Sequence, residues 1–146
     1  MASAATTVRN RVIQIVEDEF TAEGLTVAHD KLPRAAGQGA TVAAVYPEAE
    51  YEAPGRVLEL RVPVILQIYL AYDAEPDETI VVDPSVIEDY GDRLRAAFNT
   101  QSSGNTADMW FLRLQRIDYP DDPTGNKSRL EARIEGYAQN LAGTPN

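Results

Sequence analysis

Few residues in this chain have the types and spacing that chemistry requires. His29 is the only imidazole, and there is no cysteine. The lack of cysteine excludes disulfide scaffolds, thiolate zinc sites and thiol nucleophiles. A Ser-His-Asp relay would have to be built around His29, and no Gly-x-Ser-x-Gly elbow accompanies it. His29 therefore reads as a surface or strand-end residue. Asp118, Asp121 and Asp122 could offer oxygens to a hard cation, but the EF-hand spacing with its glycine and terminal glutamate is absent. Aspartate, proline and glycine are also what turns select, so this cluster reads as a turn. Gly37-Gln38-Gly39 lacks the further glycines and the lysine of a phosphate-cradling loop. With 23 acidic residues, close carboxylate pairs arise by chance, so no pair is singled out for glycoside chemistry. The expectation is a protein that is not an enzyme and uses no cofactor or metal. A small ligand-binding or hydrolytic domain with a carboxylate pair is the rival, and it predicts a monomer or dimer with a deep apolar pocket.

The chain that would position these groups has 146 residues, with 13 Lys+Arg against 23 Asp+Glu and a net charge of −10. That length suits one domain over residues 1–146, burying roughly two-thirds of the unfolded surface. The 44% apolar content is enough to fill a core. No apolar run reaches the ~18 residues of a membrane span. MASAATTVRNR lacks the apolar block of a secretory signal, so synthesis inside the cell is expected. The acidic balance argues against ordinary phosphate-backbone binding, which needs clustered Lys and Arg.

The element pattern is helix, strands, helix, hairpin. Val8, Val12, Ile15, Val16 and Phe20 recur at helical spacing. Thr6 or Thr7 is the expected N-cap, with Gly24 as the stop. Glu17, Asp18 and Glu19 then sit where carboxylates oppose the helix dipole, which suggests a solvated or partner-facing end. Short strands are expected at Leu25–His29 and Thr41–Tyr46, separated by a mobile loop, Asp30–Ala40. From Val57 to Tyr72 apolar residues alternate without a break, so a strand of about 50 Å is expected. Pro63 inside it calls for a bulge or an unpaired edge. The segment reads as a long, bent strand protruding from its domain. Asp83 and Pro84 open a second helix with Ile87, Tyr90, Leu94, Ala97 and Phe98 as its buried stripe. Met109–Asp118 and Arg129–Ala138 alternate as an antiparallel hairpin, the second setting Leu130, Ala132 and Ile134 against Arg129, Glu131, Arg133 and Glu135. Leu141–Asn146 reads as a frayed tail. The fold class is α+β, a mostly antiparallel sheet with one long strand, flanked by two helices. Tyr69, Tyr72, Tyr119 and Tyr137 either pack under a helix or extend an apolar surface for subunit contact.

The stretch from Trp110 to Arg129, and within it Tyr119–Arg129 (YPDDPTGNKSR), resembles the tail terminator proteins of long-tailed phages that infect actinobacteria. Val81–Glu88 and Val45–Pro47 resemble weaker stretches of that family, and the likeness covers roughly residues 40–140. The resemblance implies an α+β virion subunit that forms a ring, a hexamer in the wider group. Such a ring stands on the last ring of the tail tube, ends tube growth and presents the surface that joins the head connector. It implies partners (a second copy, the major tube protein, the head–tail connector) and DNA passing through the lumen without specific binding. It carries over no catalytic residues. Interface residues are expected in the hairpin loop (Tyr119, Asp121, Asp122, Thr124, Asn126, Lys127, Arg129), on the long strand (Arg61, Tyr69) and in the first loop (Lys31, Arg34). A neck or connector-completion protein, or another minor tail subunit, is the alternative in the same class. An acidic DNA mimic is a further rival, but the alternation of arginine with glutamate over Arg129–Glu135 suits it poorly.

Overall fold

A computed structural model describes residues 4–29, 41–49, 51–52, 59–70, 84–101, 109–121 and 129–139. Two helices, α1 (Ala4–Glu19) and α2 (Pro84–Gln101), accompany six strands: β1 (Thr26–Ala28), β2 (Val42–Pro47), β3 (Tyr51–Glu52), β4 (Glu59–Tyr69), β5 (Met109–Asp118) and β6 (Arg129–Gln139). They form one sheet in the order β1-β2-β4-β6-β5, with β3 continuing the edge of β2 along β4. Only β1 and β2 run parallel; every other pair is antiparallel. The architecture is the expected α+β class.

Period-two burial explains the layering. Val62, Val64, Leu66 and Ile68 of β4 lie beside Leu130, Ala132 and Ile134 of β6, Ala43 and Val45 of β2 and Leu112 of β5, all fully buried. Both helices close over this face. α1 contributes Val8, Val12, Ile15 and Val16, and α2 contributes the five residues its spacing selects, Ile87, Tyr90, Leu94, Ala97 and Phe98. The helix lies close enough to β6 that a Cβ at Gly136 would stand 2.5 Å from Val8 Cγ1 and 2.8 Å from Cγ2. Glycine at 136 is a packing requirement.

Three expectations change. α1 begins at Ala4, so Thr6 and Thr7 lie inside its first turns. Ala4 is buried and alanine is the strongest helix former, so packing and propensity together extend the helix. At the other end α1 stops at Glu19, and a 3-10 turn over Thr21–Glu23 follows before Gly24 closes it in the left-handed region, φ 63°. The third change concerns the long strand. Over Glu59–Tyr69 it does not protrude: β4 is central, paired with β6 from Glu59↔Gln139 to Tyr69↔Arg129 and with β2 and β3 on its other side.

Pro63 is accommodated as expected, by a break in the neighbouring strand. The Glu48 N–H donates to the Pro63 carbonyl at 2.9 Å, so Pro63 faces β2, and the reciprocal bond of that pair cannot form. The register shifts by one residue between Pro47 and Tyr51, where β2 gives way to β3. Among the described residues the sheet's outer strands are the three-residue β1 and the longer β5, which carries register shifts between Met109 and Phe111 and between Leu114 and Arg116. Asp30–Ala40, Asp83 and Leu141–Asn146 lie outside the described residues.

Candidate subunit-contact face

Side chains that alternate with the core positions point to the second face of the sheet, and among the described residues no helix lies there. The cross-strand register arranges them in rows. Arg61 of β4 stands opposite Tyr137 of β6, and Glu135 is flanked by Pro63 and Arg113. Further along, Ile65, Arg133 and Arg116 align, then Gln67, Glu131 and Asp118, then Tyr69 and Arg129. The face therefore carries five arginines (61, 113, 116, 129 and 133), with carboxylates interleaved.

Most of these charges are tied locally. Arg116 Nε lies 2.9 Å from Asp118 Oδ2, and Arg133 Nη1 lies 2.9 Å from Glu48 Oε2. Glu135 accepts hydrogen bonds from Gln115 Nε2 at 2.8 Å and from Tyr137 Oη at 3.1 Å. Burial and then that bond to Glu135 raise the Tyr137 hydroxyl above the usual phenol value. Arg61 reaches Glu135 at only 4.0 Å and lies over the Tyr51 ring at 4.9 Å. Arg113 is exposed, opposite Glu135 in the register, and among the described residues it makes no hydrogen bond or ion pair. A cleft of about 240 Å³ lies between Glu48, Ile65, Arg116, Asp118, Glu131 and Arg133.

The structure brings together three of the residues singled out from the sequence. Arg129 Nη2 donates to the Asp121 carbonyl, Nη1 donates to Tyr69 Oη at 3.4 Å, and the guanidinium lies 5.8 Å from the Tyr69 ring. Arg61 shares their face of β4, eight residues from Tyr69. Tyr119 goes elsewhere: it packs against the core beneath α2, its hydroxyl end meeting Gly91, where a Cβ would collide with it. Burial raises the Tyr119 phenol above its usual value. It also lines a groove of about 420 Å³ with Ile87, Glu88, Ile117 and Asp118. Lys31, Arg34, Asp122, Thr124, Asn126 and Lys127 lie outside the described residues. So do Tyr72 and the side chains of Trp110 and Phe111. Among the described residues no group of three or more His, Cys, Asp or Glu is placed to hold a metal ion, and no helix is long and apolar enough to cross a membrane. The sequence reading passed over Arg113, Arg116, Tyr51 and Glu48. The alternation of Arg113 with Leu112 and Leu114 was the signal for the first; Arg116 has the parity of the core positions and reaches this face only through the register shift between Leu114 and Arg116.

The acidic end of α1 has a partner inside the fold. Arg93 of α2 donates from Nε to Glu19 Oε1 at 3.1 Å and from Nη2 to the Glu19 carbonyl at 2.8 Å. Its Nη1 reaches Glu23 Oε1 at 2.5 Å. The guanidinium also lies 4.5 Å from the Phe20 ring and 5.6 Å from that of Tyr90, two rings stacked 4.8 Å apart. A cation thus satisfies an orphan carbonyl where the helix dipole is negative, and it offsets the carboxylates gathered there. Arg93 holds the Glu23 carboxyl below the ordinary range, and its own guanidinium is raised chiefly by the bond it donates to Glu23.

No protein-family model matches the chain, and no curated protein does. Among solved structures it is similar to the sheath/tube terminator of an extracellular contractile injection system (PVC), seen by cryo-EM in the extended state. That similarity has a TM-score of 0.43 and 10% identity, and covers 88% of this chain and 55% of the other. The chain thus spans about half the length of that structure.

Proposed function

We propose that the protein is a tail-terminator subunit, a virion structural component. It assembles as a ring, with six copies, on the head-proximal end of a tail tube, stops tube growth and offers the joining surface for the head connector. The observation that carries this reading is the Tyr119–Arg129 stretch, which resembles the actinobacteriophage terminators. Both of its ends are anchored in the fold, Tyr119 beneath α2 and Arg129 on Tyr69 and Asp121. Arg61, Tyr69 and Arg129, three of the expected contact residues, lie on the sheet face that the described helices leave uncovered, which suits a subunit that must meet neighbours. A net charge of −10 suits a lumen that DNA passes without being held, because like charge repels the phosphate backbone. The particle would be assembled from subunits made in the host cytoplasm.

The test is tube capping. The purified chain, added to the polymerising tube protein of its own particle, is expected to form rings at one tube end and to limit tube length in negative-stain images. Tubes of unchanged length with bare ends would overturn the reading. Within an assembled ring, replacing Asp121, Asp122 and Asn126 together by Ala is expected to weaken assembly while leaving the monomer folded. An unchanged hexamer by native mass spectrometry would remove that loop from the interface.

A further inference from the structure

Gly91 sits in the interior of α2, where glycine weakens a helix relative to alanine. Its backbone does not call for glycine, since among the described residues only Gly24 has a positive φ. Space does. Glu88, Asp92 and Arg95 around it are exposed, yet Gly91 is buried, because the Tyr119 ring lies against it. A Cβ on Gly91 would collide with the Tyr119 hydroxyl oxygen and stand 3.1 Å from Cζ. Tyr119 directly follows β5, an outer strand, so this notch fastens the strand's exit to the helix layer. The other end of the connection is fastened as well. Arg129 opens β6 opposite Tyr69 and donates to the Tyr69 hydroxyl and to the Asp121 carbonyl. The bond to Asp121 ties the two ends to each other.

We infer that Gly91 is a seat for Tyr119, and that Tyr119 and Arg129 are positioning residues for the β5–β6 connection. They set the direction in which that connection leaves the fold to meet a neighbouring subunit. The inference deepens the terminator reading and rests on it for the contact that the connection makes. Neither anchor has to touch the neighbour. A fixed base lowers the ordering cost of association, because less chain freedom is surrendered on binding. Alanine at 91 with a smaller side chain at 119 would give a stronger helix, so helix stability does not explain the pair, whereas the placement of Tyr119 does.

Five full-length proteins test it by thermal melting and by capping of tubes of their own particle: the unmodified chain, Gly91→Ala, Tyr119→Phe, these two combined, and Arg129→Lys. Without the hydroxyl oxygen, the added methyl meets only ring carbons at 3.1 and 3.4 Å, which a small shift accommodates. Gly91→Ala alone is expected to melt lower and to need about tenfold more protein to cap. The combined variant is expected to regain both properties, melting no lower than Tyr119→Phe. Arg129→Lys keeps the charge but loses the fork that reaches two acceptors at once. It is expected to melt within about 2 °C of the unmodified chain and still to cap several-fold less well. Lost capping at an unchanged melting temperature is what a purely structural role would not produce. Three results would overturn the inference: Gly91→Ala that caps normally, a combined variant no better than Gly91→Ala, or Arg129→Lys that caps normally. Normal capping by every variant would remove the positioning role and leave the terminator reading in place. Bare tubes with the unmodified chain would remove both.

Discussion

The two faces of the sheet are built from the same strands, residue by residue in alternation, yet they answer to different demands. On the covered face Val62, Val64, Leu66 and Ile68 meet α1 and α2 with no solvent access. On the other face Arg113, Gln115, Arg116 and Asp118 stay exposed, and their ion pairs are local and short-range. Folding stability is thus concentrated on the helix side; on the opposite side Ala44, Pro63, Gln67 and Tyr69 are also buried, and the exposed part is the β5 rim. Surface ion pairs of that kind contribute little to stability, whereas full burial of one large aliphatic side chain contributes about 1.5–3 kcal/mol.

The sharpest way to break this contrast is a cavity on the covered side. Leu66→Ala is expected to cost about 2–5 kcal/mol in urea unfolding, and a cost comparable to a surface change would show that the helices do not seal that face. Gly136→Ala should follow at about 1–3 kcal/mol, because the new methyl must displace Val8 and with it α1. Trimming Val8 to Ala in the same chain should recover part of the loss. Arg93→Ala removes the helix-end contacts and the cation over Phe20 and Tyr90, with an expected loss of about 1–2 kcal/mol at neutral pH.

The same clamp predicts a pH dependence. Glu23 is held below the ordinary carboxylate value in the fold, so its contribution is present above the unfolded value and is lost as pH falls through the folded one. The melting temperature of the unmodified chain should decline across that acidic window, and Glu23→Gln should flatten that part of the curve. Identical profiles would place the acid sensitivity elsewhere. The smallest effect belongs to the open face: Arg113→Ala should change unfolding free energy by no more than about 0.5 kcal/mol. A larger loss there would mean that the face serves the fold as well.

Local pattern made much of this legible. The α2 stripe, the period-two burial of β4 and the β5–β6 pairing all follow from side-chain spacing, which depends only on residues a few positions apart. What spacing could not show is order in the sheet. β6 inserts between β4 and β5, which makes β4 central, whereas length and Pro63 suggested a protruding strand. A proline needs freedom only on the side its missing N–H would face, and the break between Pro47 and Tyr51 supplies it. The Arg93 clamp was hidden for a similar reason. Its partners Glu19 and Glu23 lie 74 and 70 residues away, and from the sequence Glu17, Asp18 and Glu19 read as a solvated or partner-facing end. On the sheet face that the described helices leave uncovered, the sequence reading had named Arg61, Tyr69 and Arg129, whereas Arg116, of core parity, joins them only through the register shift in β5.

The irregular β5 has a consequence for crowding. An ordered particle concentrates its subunits, and a flat free strand would then invite neighbouring chains to add on, backbone to backbone, without limit. β5 interrupts its ladder twice within ten residues and β1 is three residues long, so neither rim offers a straight template. Both described rims therefore discourage edge-to-edge addition of further chains.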